Sequence, residues 1–399
     1  MSVDAVPVVI VGAGPVGMVA AADLIRQGVR VTVLEKNEHL SLESRASTFH
    51  PPTLDMLDDL GFAEALIAEG LKAPRVQYAS TIDGILGTFD FGDISDLTRH
   101  PFRVQAEQFK LTRIILEGLK ENPLFEIRFG GELKGLSQDA NGVTVTFGAD
   151  DAPATMRCDW LIGADGASSP VRRCQNIPFE GFTWPERFLV VTTSADVERA
   201  RPGVTSVSYW ADPQRWHFFL RIPGAWRIMF PVEPDVPDEV ATSPGFARKM
   251  LASILPDRNE ASIDHMTLYR VHQRVAECFR KGRTFLAGDA AHINNPLGGM
   301  GMNGGLHDAL NLTSRLGPVV KGGAHPDSLD AYNRQRRAIT LEAIQNATIR
   351  NKRNLEAKTP EDQESYRKQI REALSNEDKK RAFLSRIAMI ESLKRAATL

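Results

Sequence analysis

Residues 6–36, VPVVIVGAGPVGMVAAADLIRQGVRVTVLEK, set two short apolar runs on either side of a segment rich in small residues. VPVVIV lacks polar alternation, as does a strand buried on both faces. Gly12, Gly14 and Gly17 interrupt it and open a helical stretch, with Pro15 where a first helical turn tolerates proline. VRVTVLEK follows as a second strand. Strand, helix and strand of this length form a βαβ unit, which requires a parallel sheet. Glycines at such a turn let backbone amides and the positive helix end approach a pyrophosphate. Glu35, with Lys36 beside it, closes the second strand 18 residues after Gly17, where a carboxylate accepts from ribose hydroxyls. NAD and FAD satisfy this pattern equally.

The chain has 399 residues, of which 42% are hydrophobic and 25% charged, enough for a large core and more than one domain. A net charge of −2 gives no electrostatic reason to bind nucleic acid or an anionic membrane. No apolar run approaches the roughly 20 residues that span a bilayer. The N-terminal apolar run has neither a basic flank nor a cleavage site, so a cytoplasmic protein is expected. Cys158, Cys174 and Cys278 have no metal-ligand spacing and cannot all pair, so neither a metal site nor a disulfide framework is expected.

Two further glycine and carboxylate clusters follow. LIGADGASSPVRR ends an apolar strand at Asp165-Gly166, with Arg172 beyond. RTFLAGDAAHINNPLGGMGMNGGLHDALNL, residues 283–312, gives a strand, Gly288-Asp289, a turn from Pro296 through Gly299, Gly301, Met302 and Asn303, and then a helix. Asp289 can bind polyol hydroxyls. The exposed amides of the helix start would face a ligand and favour negative charge there. A helix is also expected after Gln108, and a hairpin at Asn141-Gly142. Residues 178–270 are strand-like and aromatic, as in an antiparallel sheet with a ligand on its concave face. The chain is mostly helical after 327, with helix starts at Thr359-Pro360 and Ser375.

Together the three clusters resemble those of the single-component FAD-dependent aromatic hydroxylases of the para-hydroxybenzoate hydroxylase fold, over roughly residues 6–340. The resemblance implies FAD held non-covalently, with Glu35 at the adenosine ribose, Asp165 near the pyrophosphate and nicotinamide path, and Asp289 at the ribityl chain. Arg45 and Gln108 match two further FAD-contacting positions of that family, with Gln105 a near alternative to Gln108. It implies an α/β fold: a Rossmann-like FAD-binding domain, discontinuous in sequence (1–75, 100–177 and 270–340), an antiparallel-sheet substrate domain (76–99 and 178–269), and a helical C-terminus (341–399). It also implies that NADH or NADPH reduces the flavin, which then takes up O2 as a C4a-hydroperoxide and hydroxylates a small electron-rich aromatic substrate. Halogenases and isoprenoid reductases share these fingerprints. RWHFFLRIPG, however, lacks the second tryptophan of the halogenase WxWxIP signature, and no amphipathic membrane anchor stands out. A non-catalytic FAD-binding module remains an alternative on motif alone.

The substrate side is less explicit. Trp210, Phe219, Arg221 and Met229 are the expected substrate contacts, and Arg227 and Pro296 the expected catalytic neighbours of the flavin. His217 is the expected base, with His50 and Tyr209 competing, because an imidazole near neutral pKa removes a phenolic proton. Residues 351–399 hold 12 Lys or Arg and 8 Asp or Glu. The spacing of Phe383, Leu384, Ile387 and Ile390 suits a packing or homodimer-forming helix.

Overall fold

The computed structural model describes residues 6–43, 46–255 and 261–399. Val6–Val11 and Val31–Leu34 form adjacent parallel strands joined by the helix Pro15–Arg26. Along its main path the sheet runs Arg280–Lys281, Thr284–Leu286, Ala152–Gly163, Val6–Val11, Val31–Leu34, Phe125–Arg128, parallel apart from its Arg280–Lys281 edge, and Gly142–Ala149 joins Ala152–Gly163 antiparallel. Its strands are apolar because both faces are covered; Val8, Val9 and Ile10 are fully buried. The hairpin Leu133–Asp139 and Gly142–Ala149 turns at Asn141, whose backbone N–H donates to Asp139 Oδ1 at 2.7 Å. This sheet therefore draws its strands from three distant parts of the chain.

A second sheet runs His292–Ile293, His265–Ala276, Phe179–Thr193, Ala225–Val232, His217–Ile222, Val207–Ala211, Arg75–Ser80, Gly84–Asp90. It is antiparallel except where Val207–Ala211 meets Arg75–Ser80, a strand supplied by the N-terminal part of the chain. Each of its faces carries its own core. Phe188, Tyr209, Phe218 and Met229 pack on one side; Leu189, Trp210, Phe219 and Phe230 pack on the other against the helix Pro244–Ile254.

The C-terminal part is helical from Asp330. Thr359 caps the helix Pro360–Ala373 through a capping box with Asp362. The next helix, Glu377–Ile387, is capped by Asn376 rather than by Ser375, one residue later than expected, because the Asn376 side chain accepts from Lys379 N. Phe383 and Leu384 are buried against Phe89 and Tyr78 of the second sheet. The apolar face read as packing or dimer-forming is thus used within the chain.

Candidate functional site

The three glycine turns leave the C-terminal ends of neighbouring parallel strands and meet there, at the crevice where ligands of open α/β sheets bind. A Cβ on Gly12, at φ +103°, would stand 2.4 Å from Ala164 O, so the first turn lies directly on the second. A Cβ on Gly288 would meet Val16 at 2.8 Å, and one on Gly305 would meet Gly288 Cα at 2.9 Å, so the third turn and its helix close on the first. Only glycine permits these approaches.

The polar groups at this junction suit a dinucleotide. Glu35 bridges its neighbours, Oε2 accepting from Ala13 N at 2.9 Å and Oε1 from the Asn37 side chain at 2.6 Å. Asp165 Oδ2 accepts from Val171 N at 2.9 Å, while its buried Oδ1 has no partner; burial raises its pKa, against the opposing hydrogen bonds from Ser169 and Val171. A Cβ on Gly14 would enter open space, which leaves a cradle along the backbone. The helices Pro15–Arg26 and Met300–Val320 both begin without a side-chain cap, so their first-turn amides are open to an anionic ligand.

Beneath the third turn, Asp308 is fully buried and holds three groups. Its carboxylate accepts from Arg336 Nε at 2.6 Å and Gly288 N at 3.1 Å, and stands 2.7 Å from His292 Nε2. Burial pushes the carboxyl pKa up, but the Arg336 charge and His292 outweigh it, and the group stays below the ordinary range. Asn303 ties the same turn to the chain near Thr48: its Nδ2 donates to Thr48 O at 2.8 Å and Gly299 O at 2.6 Å, and its Oδ1 accepts from His50 N at 2.9 Å.

A cavity partly open to solvent lies where the Gly298–Met300 turn faces the second sheet and the C-terminal helices. Tyr78 and Tyr209 stack in its wall with ring centroids 5.5 Å apart. Arg103, Asn351 and Tyr366 also line it.

The family described as FAD binding domain matches residues 5–347. The chain belongs to this family of FAD-dependent monooxygenases. It is 34% identical over 338 residues to the para-nitrophenol 4-monooxygenase of a Pseudomonas species, covering 84% of this chain and 83% of the relative. It is 33% identical to the 6-hydroxy-3-succinoylpyridine 3-monooxygenase of Pseudomonas putida, covering 88% and 90%. The crystal structure of a p-nitrophenol 4-monooxygenase from Pseudomonas putida superposes with a TM-score of 0.91 at 29% identity, covering 98% of both chains. A flavin-dependent monooxygenase solved with FAD and substrate gives 0.80 at 25% identity, covering 99% of this chain and 72% of that one.

In this monooxygenase the expected cofactor residues on the glycine turns lie at the crevice, with five qualifications. Arg45 lies outside the described residues. Gln108 opens its helix half-exposed, whereas Gln105 is fully buried and accepts from Thr48 Oγ1 at 2.8 Å, its own Nε2 unpartnered. Lys36 is exposed, and Met302 packs on the core of the parallel sheet. Asn303 is engaged with backbone on every side named above, so its geometry is that of a tether.

The expected substrate residues divide across the sheet. Met229 faces the cavity side, and Arg227, on the same side of its strand, reaches Ser47 Oγ at 3.1 Å. Trp210, His217 and Phe219 face away, in the core beneath Pro244–Ile254. His217 is fully buried among these rings, and burial pushes its pKa down to about 4. The geometry therefore does not bring His217 to the cavity as a base. The cause is strand alternation: Tyr209 and Phe218 point in, their neighbours Trp210 and His217 point out. Arg221 is paired with Glu198 at the surface, and Pro296 is exposed on the turn. Sequence reasoning missed Tyr78, Arg103 and Tyr366, which come from other segments and share no motif. Among the described residues no helix is long and apolar enough to cross a membrane, and no group of side chains is arranged to hold a metal ion.

Proposed function

We propose that this monooxygenase hydroxylates a small, electron-rich aromatic ring, a phenol or hydroxypyridine, using NADH or NADPH and O2 in the cytoplasm. The observation that carries this reading is the aromatic-walled cavity against the Gly298–Met300 turn, at the uncapped start of Met300–Val320. Nitrophenol and hydroxypyridine monooxygenation in the names of its relatives supports it.

FAD, when bound, activates O2 and delivers one of its atoms to the ring. Gly12, Gly14 and Gly17 with the helix from Pro15 would hold its pyrophosphate, Glu35 its adenosine ribose, and Asp165 and Asp289 its linking groups. Gly288 lets that turn close. Gly299, Gly301 and the helix start would face the ring's anionic side, where helix-end charge contributes up to about 2 kcal/mol. The second sheet and C-terminal helices orient the substrate and exclude water. In this division residues 1–75, 100–177 and 270–340 carry FAD and 76–99 and 178–269 the substrate. A homodimer would form through a surface other than Phe383 and Leu384.

The test is a screen of phenols, hydroxybenzoates and hydroxypyridines for stimulated NAD(P)H oxidation with oxygen uptake and product. No stimulation by any of them would overturn the reading. A variant locates the chemistry. Gly299 caps the helix at φ +67°, and a Cβ there would meet Thr48 at 3.2 Å and His50 at 3.3 Å. Gly299→Val should retain FAD through the distant Gly12–Gly17 turn but yield several-fold less product per NAD(P)H, the balance leaving as hydrogen peroxide. Wild-type coupling in this variant would place the reactive edge elsewhere.

A further inference from the structure

Met300 opens the helix Met300–Val320 and, among the described methionines, is the one that lines the cavity. Its side chain folds back over the preceding turn: Cε and Cγ stand 3.5 and 3.6 Å from the point where a Cβ on Gly298 would lie. The sulfur between them is therefore beside the turn that would face the flavin ring. On its protein side Met300 packs with Ile344, Ala347 and Met389 in a small apolar cluster of its own. These residues come from the helix start, the π-helical turn Thr340–Gln345, the helix Asn346–Glu356 and the corner before the last helix, Ile390–Ala397. Met300 thus pins the C-terminal helices to the turn.

A thioether is a soft group that takes up an oxygen atom readily. Hydrogen peroxide forms wherever reduced FAD meets O2 with no ring to accept the oxygen. Peroxide released at this turn meets Met300 before it meets bulk solvent, although Met300 is only 5% exposed. Met56 and Met266 are half-buried, hence more open to solvent, and line no part of the cavity. Location and exposure therefore rank these sulfurs in opposite orders.

We propose that Met300 is a self-oxidation site, whose thioether is converted to the sulfoxide by hydrogen peroxide formed in the cavity during unproductive turnover. A sulfur lone pair attacks one peroxide oxygen, the O–O bond breaks and an S–O bond forms. The other oxygen leaves with both protons as water. Sulfur is oxidised, peroxide is reduced, and no further reactant is consumed. The assignment rests on the placement of the flavin ring at the Gly299–Gly301 turn and requires no particular substrate.

The sulfoxide oxygen is a hydrogen-bond acceptor among Ile344, Ala347 and Met389, whose side chains offer no donor. Burying it there is costly, so the oxidised side chain is driven out of the cluster. The C-terminal helices then lose their pin on the turn. Since they form the wall that excludes water, each unproductive cycle degrades the cavity in which it occurred.

The test cycles FAD-loaded protein without substrate. The flavin is reduced anaerobically with an equivalent of dithionite and reoxidised by O2 in the dark, repeatedly, with and without catalase to remove escaped peroxide. Peptide mass spectrometry should show Met300 gaining an oxygen atom several-fold faster than Met56 and Met266, equally in both arms. Hydrogen peroxide added to protein with oxidised FAD should reverse that order. Cycling should lower the melting temperature of wild type but leave that of Met300→Leu, a change that conserves volume, level. The wild-type mass measurement stands alone if the variant fails to hold FAD. An unmodified Met300, its protection by catalase, oxidation no faster than at Met56 and Met266, or an equal fall in melting temperature in Met300→Leu would overturn the site. An unmodified Met300 with coupling still impaired by Gly299→Val would sink this site alone. Oxidation of Met300 without any phenol-stimulated NAD(P)H oxidation would sink the substrate reading and leave the site standing.

Discussion

Lowering the pH from about 7.5 to about 5 is expected to remove roughly 4 kcal/mol of folding stability, about 2 kcal/mol for each of His217 and His307, buried as neutral imidazoles, with His50 acting in the same direction. His50, His217 and His307 are each at most 2% exposed. Burial is the first cause of the lowered pKa in each: His307 is pushed down to about 3, with the Arg336 charge adding to the effect, His217 to about 4, and His50 well below its ordinary value. In the unfolded chain each titrates near ~6.5. Below that pH the unfolded chain holds more protons than the folded one. The contribution is therefore complete above the unfolded pKa and is lost as pH falls toward the folded values. A loss of this size is a large share of the roughly 5–15 kcal/mol by which many proteins are stable. Chemical unfolding at fixed FAD from neutral to acid pH measures it. His217→Phe, among Trp210, Phe219 and Phe230, should reduce the slope by about one proton. Stability that stays level across this range would show that these imidazoles are protonated in the fold.

The second large effect is expected at Asp308. Asp308→Ala should cost about 3–5 kcal/mol, because it leaves the Arg336 charge buried and unpaired. It also releases His292 and the Gly288 amide. Since Gly288 lies against Val16 of the first turn, the loss should reach FAD retention as well as melting temperature. Asp327→Ala, at a residue whose side chain is 85% exposed, is the control and should do neither. Equal melting and equal FAD content in the two variants would mean that the network contributes little.

The cofactor half was largely legible because its chemistry is local. A strand that runs out into Gly12, Asp165 or Gly288 announces its turn within a few residues, and the βαβ handedness rules carry the three turns to one crevice. The substrate half was legible as a sheet but not by face. VSYWA and HFFLRI are aromatic at both parities, so alternation divides each strand without saying which set meets the ligand. Trp210, His217 and Phe219 looked as suitable as Tyr209 and Phe218. The decision came from the Pro244–Ile254 helix, which covers one side and leaves the other to the C-terminal helices. Arg103 carried no signal at all, since a lone arginine shows which cavity it borders only after the chain has folded.

Asn351, Leu355, Tyr366 and Ile387, which line the cavity, all come after residue 347, where the family match ends. Part of the wall that would meet the ring is therefore encoded after the matched segment, while Tyr78, Arg103 and Tyr209 of the same cavity lie within it. Exchange of the segment after that junction would rebuild one wall of the cavity and leave the glycine turns and the opposite wall, with Tyr78 and Tyr209, as they are.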